Sequence, residues 1–290
     1  MTTYSVRHST VYNYEHSMVS SQVLAYLVPR ETPTQTVLSC EVYCNPKAIH
    51  RMTNIDIFGN LATYLSVEVP HDRFDIWANS SVEVRPATMP AEVPWQAIGE
   101  LLDTDVTDDG QLARWCRLDS ALVMASADLA DYARPSFPQA AGLIGGLRNL
   151  TQRIFTDFTF DPNATDVSTP LADVLNSRRG VCQDFAHLAV GCLRSLGIPA
   201  RYVSGYIETE AEPGQPKLIG SDASHAWCSV YLPGSGWVDA DPTNDVILPA
   251  RHVTIAWGRD YSDVAPVRGV SFGPPGSQVL SVGVDVVRTG

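Results

Sequence analysis

From the start of the chain to about Pro86, apolar and polar positions alternate in short runs rich in β-branched and aromatic residues. The runs are YSVRHSTVYNYE, QVLAYLVP, TVLSCEVYCN, ATYLSVEV and SSVEV. A period of two puts one set of side chains on a buried face and the other in water, as in half-buried strands. Turn signals at Phe58-Gly59-Asn60 and Pro70-His71-Asp72 separate the runs. Short strands at this spacing predict a small β-sandwich over residues 1–86. The proline-containing ATMPAEVPW then reads as a linker, residues 87–95.

Beyond the linker the period changes, and residues 96–290 read as a second unit. Residues 96–132 and 138–155 carry apolar side chains at helical spacing, with a break at Ser136-Phe137-Pro138. The clearest helix follows Arg178-Arg179-Gly180. Phe185, Ala186, Ala189, Val190, Leu193 and Leu196 fall on one face of it, Gly197 suits the C′ position, and Pro199 forbids continuation. ARYVSGYI reads as a strand. Residues 208–224 read as a loop long enough to serve as a lid. HAWCSVYL and WVDAD form a hairpin around Pro233-Gly234-Ser235-Gly236, and residues 253–257 and 278–287 are strand-like.

Composition narrows the classes. Hydrophobic residues make up 44% of the 290 positions and charged residues 18%, a core-forming balance. The formal net charge is −12 with no basic run, which argues against nucleic acid and anionic membrane as partners. The first residues lack a basic and apolar leader pattern, and no apolar run approaches the roughly 20 residues of a membrane helix. The expected location is cytoplasmic, with the six cysteines reduced. No CxxC pair, clustered Cys/His spacing or EF-hand-like Asp run is present, so no metal and no cofactor are expected.

Candidate chemistry concentrates at Cys182. It opens the helix directly after Gly180 and Val181, and a helix N-terminus favours a thiolate. The unpaired N–H groups of a first helical turn can also hold an oxyanion. Cys192 lies mid-helix and Cys228 within a strand, where a thiol is a small core hydrophobe. His187 is five residues along the helix from Cys182, about 140° around it, so it faces elsewhere. His225 opens the strand HAWCSVYL; Asp241 closes the next, with Asp239 as rival partner. A hairpin brings His225 near these carboxylates, which could orient the imidazole and stabilise its protonated form. Register decides the matter. A four-residue turn puts His225 and Asp241 on opposite faces; an odd-numbered turn or a bulge, with Gly234 or Gly236 in the left-handed region, puts them on one.

At these residues the sequence resembles the transglutaminase-like superfamily, thiol enzymes with a papain-like arrangement. Three blocks in order carry the resemblance: RRGVCQDFAHLAVGCLRSLGIPARYVSGY, SHAWCSVYLPGSGWVDADPTN and WGRDYSDVAPVRG. The first 86 residues look like the N-terminal β domain of bacterial members. The resemblance implies an α+β fold, a papain-like core in which the Cys helix packs on an antiparallel sheet. It implies Cys182 as nucleophile, His225 as base and acid, and Asp241 rather than Asp239 as orienter. It further implies a thioester intermediate and a peptide or protein substrate, cleaved by water or passed to an amine. The competing reading is a non-catalytic binding module that keeps the fold. The WGRDY block, residues 257–261, is either a turn closing the core or part of a substrate subsite. In the second case Trp257 or Tyr261 lines the cleft and Arg259 or Arg268 holds an acidic group.

Overall fold

The computed structural model describes residues 1–209 and 223–290. Six strands come first: β1 (Thr2–Met18), β2 (Ser20–Ala25), β3 (Gln35–Asn45), β4 (His50–Ile55), β5 (Leu61–Val67) and β6 (His71–Val84). Alternation drives them. In β6 the buried set is His71, Phe74, Ile76, Ala78, Ser80, Val82 and Val84. Two four-stranded antiparallel sheets enclose a core that includes Val23, Leu27, Val42, Leu65, Phe74 and Ile76.

The helical stretch beyond the linker is divided further than its periodicity suggests. It holds α1 (Ile98–Thr104), α2 (Asp108–Trp115), α3 (Ala127–Ala133) and α4 (Leu143–Asp157). Next come α5 (Leu171–Ser177), a two-residue parallel pair β7 (Thr159–Phe160) and β8 (Arg179–Gly180), and α6 (Cys182–Ser195). The end of α6 is a Schellman motif: Ile198 N–H donates to Leu193 O, Gly197 N–H donates to Arg194 O, and Gly197 has φ +77. The helix is buried along most of its length, against α3, α4 and α5 on one side and a five-stranded sheet on the other.

That sheet runs β12 (Val246–Ile247), β11 (Gly236–Asp241), β10 (Ala223–Leu232), β9 (Ala200–Ile207), β13 (His252–Gly258), all antiparallel. A short helix α7 (Tyr261–Val264) follows. The long loop expected at 208–224 falls largely outside the described residues.

The end of the chain departs from the expected division. β14 (Val267–Phe272) pairs with β2, and β15 (Gln278–Arg288) pairs with β1 over eleven residues. Residues expected to close the second unit, 96–290, therefore complete the sandwich, one strand in each of its sheets. A boundary read from local periodicity could not show this, because the paired residues lie more than 240 positions apart in the sequence. Tyr4, Val6, Val82, Val284 and Val286 of the sandwich form one buried cluster with Tyr202, Tyr206, Val253 and Ile255 of the five-stranded sheet. Among the described residues no helix is long and apolar enough to cross a membrane.

Candidate active site

Cys182 is the first residue of α6 and is half-buried. Asp184, in the same turn, folds back so that its Oδ2 accepts the Val181 N–H at 2.8 Å and the Thr165 hydroxyl at 2.6 Å. This fixes the entry of the chain into the helix. Gly180 is required by this contact: a Cβ there would lie 2.7 Å from the same carboxylate oxygen. Its φ is not in the left-handed region, so close approach is its role, rather than a tight turn. The N–H groups of Cys182 and Gln183 belong to the first turn and have no intrahelical acceptor.

His225 and Asp241 reach one another through the hairpin register. Leu232 pairs with Gly236 and Cys228 with Ala240, so the loop is the three residues Pro233-Gly234-Ser235. Gly234 and Gly236 both have positive φ, +80 and +89. The odd-numbered turn sets Asp241 beside Trp227, on the face that also carries His225. His225 Nε2 donates to Asp241 Oδ2 at 2.7 Å, and the imidazole lines the same cleft as Cys182. With Nε2 engaged by the carboxylate, Nδ1 is the ring nitrogen available to a thiol. Asp239 takes no part; it pairs across from Ser229 on the other parity.

Two further side chains complete the cluster. His252, at the start of β13, donates from Nε2 to the same Asp241 Oδ2 at 2.7 Å, and Asn244 Nδ2 donates to it at 2.7 Å. Asp241 Oδ1 accepts the Thr243 N–H at 2.9 Å. Burial opposes ionisation of Asp241, but the hydrogen bonds from His225 and His252 outweigh it and hold the carboxyl well below its usual range. Burial also acts to lower His225, yet its hydrogen bond to Asp241 and the nearby Cys182 push it up to about 10. His252 goes the other way, lowered by burial that Asp241 only partly offsets. The two imidazoles that donate to one carboxylate oxygen are thus shifted in opposite directions. Trp227 packs edge-on against His252 with ring centroids 4.9 Å apart, and lies over Gly205, where a Cβ would meet its ring at 2.5 Å.

His225, Asp241 and His252 place three potential metal-ligating atoms within 4.8 Å of one another. Both imidazole Nε2 atoms already donate to the same carboxylate oxygen, so a metal would have to replace these bonds. Neither His252 nor Asn244 was indicated by the sequence reading. The usable signal was the DPTN turn for Asn244; for His252 it was a histidine heading the last strand of this sheet.

A cleft of about 490 Å³ opens at Cys182 and His225. Tyr261 lines it. Trp257 does not. It lies in a separate crevice, held between the guanidinium groups of Arg30 and Arg201, each 3.6 Å from its ring centre, with its Nε1–H on Phe58 O. Arg259 is paired with Asp263, and Arg268 donates to Ser262 O; neither lines the cleft. His187 is a packed acceptor: its Nε2 takes the Tyr261 N–H at 3.0 Å, and burial pushes it down to about 4. Burial raises Cys40 and Cys116 to about 11 and Cys192 to about 12, and it raises Cys44 and Cys228 as well.

A family model of the transglutaminase-like superfamily matches residues 134–242, and one of the bacterial transglutaminase-like N-terminal region matches residues 4–83. The uncharacterized protein Rv2569c of Mycobacterium tuberculosis is 38% identical over 294 residues, spanning 98% of this chain and 92% of that protein. The uncharacterized protein ML0607 of Mycobacterium leprae is 31% identical over 287 residues, 98% of each. Protein-glutamine gamma-glutamyltransferase of Pseudomonas aeruginosa is 33% identical over 149 residues, 50% of this chain and 22% of that one. A crystal structure from Cytophaga hutchinsonii, of a chain proposed to be a cysteine protease, matches with TM-score 0.75 at 21% identity, covering 100% of this chain and 91% of that one. On these matches, which run over nearly its whole length, the chain belongs to the transglutaminase-like superfamily, in the bacterial form with its own N-terminal β region.

Proposed function

We propose that this protein is a thiol enzyme that cleaves or exchanges an amide or acyl bond of a peptide or protein through a thioester on Cys182. The observation that carries the reading is His225, which donates from Nε2 to Asp241 at 2.7 Å and lines one cleft with Cys182 at the start of α6. An imidazole oriented by a carboxylate, near a thiol at a helix start, is the environment that activates thiol nucleophiles.

In this reading the Cys182 proton passes to His225 Nδ1 and the sulfur attacks the substrate carbonyl. The oxyanion meets first-turn N–H groups, that of Cys182 among them. As the C–N bond breaks, His225 returns its proton to the leaving amine, and the acyl group remains on sulfur. Water or a primary amine then attacks the thioester, giving up a proton to His225, and the thiol is restored. The glutamyltransferase activity named for the Pseudomonas aeruginosa relative supports the amine as one acceptor.

The test is the pH dependence of iodoacetamide labelling at each cysteine, read by peptide mass spectrometry, in the wild type and in His225→Ala. Cys182 alone should label fast at neutral pH and slow by at least tenfold in the mutant, on the scale of lost acid–base assistance. Labelling no faster than glutathione, and indifferent to His225, overturns the reading and favours a binding role. A glutamine-containing peptide supplied with and without a primary amine then separates the acceptors. Ammonia release alone marks hydrolysis, and amine incorporation marks transfer.

A further inference from the structure

The wall of the cleft opposite the five-stranded sheet is made by the two ends of the chain. Three directly opposed pairs of β1 and β15 line it: His8 with Val284, Thr10 with Val282, and Tyr12 with Leu280. At one end this sheet face is covered. Tyr4, Val6, Val284 and Val286 are buried in the junction between sandwich and core. Toward the cleft the same face runs on uncovered, with Leu280 54% and Val282 53% exposed.

An apolar surface that continues a buried interface into a reactive cleft is a surface waiting for substrate. Its chemistry is restricted. In a chain of net charge −12, no Asp, Glu, Lys or Arg lines this cleft among the described residues. His8, the imidazole of the wall, is bonded to the Thr10 hydroxyl at 2.8 Å and kept neutral by burial, which pushes it down to about 4. A charged side chain entering here would lose water and find no counter-ion.

We propose that the Thr10–Val282 and Tyr12–Leu280 pairs form the acyl-donor subsite, and that it selects a neutral, apolar segment of an extended peptide beside the reacting group. At about 3.3 Å per residue, the exposed pairs span room for two or three substrate residues. This rests on the reading of Cys182 as nucleophile and assigns the N-terminal sandwich a direct role in choosing substrate.

The test uses two dipeptide chloromethyl ketones, Leu-Phe and Asp-Lys, and iodoacetamide as a small reagent that does not need the wall. The measured quantity is the rate of Cys182 alkylation by each peptide, with iodoacetamide as the reference. The Leu-Phe reagent should lead by at least about tenfold, the scale set by burying or stranding one side chain in an apolar site. Val282→Asp should reduce the lead to near unity, and Leu280→Ser should cut it severalfold, each peptide rate being read against the same variant's own iodoacetamide rate. Both sites are half exposed, so the fold tolerates the changes. A wild-type ratio near one, or a ratio that both variants preserve, overturns the proposal. Slow, His225-independent iodoacetamide labelling overturns the thiol reading instead, while the ratio between the two peptides still reads the subsite.

Discussion

Asp241 Oδ2 accepts from His225, His252 and Asn244, each at 2.7 Å, with no exposed surface on the residue. Removing the charge while keeping the shape therefore acts on His225 most. Asp241→Asn should bring the imidazole back toward its ordinary range and slow Cys182 labelling at pH 7 by tenfold or more. The same pair predicts a pH signature. His225 sits higher folded, at about 10, than unfolded, so its contribution to stability is full below the unfolded value near 6.5 and is lost as pH rises toward 10. Asp241 is depressed when folded, so its contribution is present above the ordinary carboxylate range and lost in acid. The difference in Tm between wild type and Asp241→Asn should thus be largest near pH 5–6 and shrink by pH 10. Thermal melts across that range check it. At this scale the sequence showed much of the site. Cys182 and His225 could be singled out because helix start and strand start are local signals, whereas Asp241 was separated from Asp239 only by the family resemblance, since the choice depends on the hairpin register. His252 could not, because its contact depends on β13 pairing with β9 from outside the hairpin. Trp257 was misplaced for a related reason: nothing local says that Arg30 and Arg201 will hold its ring away from the cleft.

The elements behind those residues are controlled by small backbone devices, and parity is the most consequential. The three-residue loop Pro233-Gly234-Ser235 keeps Val238 and Ala240 in the core and turns Asp241 toward His225. Deleting Ser235 should shift the pairing by one residue and flip β11. The chain would then either trade its buried apolar residues for Asp239 or lose the bond between Asp241 and His225. Lengthening the same loop by two residues keeps parity. The deletion should abolish fast Cys182 labelling and lower Tm; the two-residue insertion should retain labelling. Equal labelling in both would mean that the register does not position the site. The start of α6 is held more gently. Asp184→Ala removes the acceptor of the Val181 N–H and should cost about 1 kcal/mol, the usual worth of a cap. Gly205→Ala is harsher. The new Cβ would fall 2.2 Å from Val253 O and 2.5 Å from the Trp227 ring, so β9, β13 and the tryptophan beneath the histidines cannot all keep their places. Overpacking of that kind costs roughly 1–3 kcal/mol or more and should show as a lower midpoint in urea. Helix α6 was readable to the residue at its glycine C′, since periodicity and cap agree there. Strands β4 and β14 were not, because neither carries a clean alternation of buried and exposed positions.

Across the whole molecule, the sequence suggests two units in series, and the sheet pairing closes them into one. β15 lies on β1 over eleven residues, β14 lies on β2, and the sandwich shares a buried cluster with the five-stranded sheet. A chain ending at residue 266 would leave Tyr4, Val6 and Ala25 without the strands that cover or pair with them, and would take away the apolar wall of the cleft. Independent units would lose little from such a cut, since the helices and all three residues of the Cys-His-Asp set remain. The pairing implies the opposite. The truncated chain should be poorly soluble or melt at least 10 °C below the full chain, a shift set by the loss of several fully buried side chains. Calorimetry of the full chain should accordingly show one cooperative transition. Two well-separated transitions, or a truncated chain that melts with the full one, would contradict the pairing. Because that wall faces Cys182, the cut also separates stability from selectivity. Any soluble truncated fraction should still react with iodoacetamide yet show no preference between apolar and charged peptide reagents, since the residues that read the substrate would have left with the last two strands.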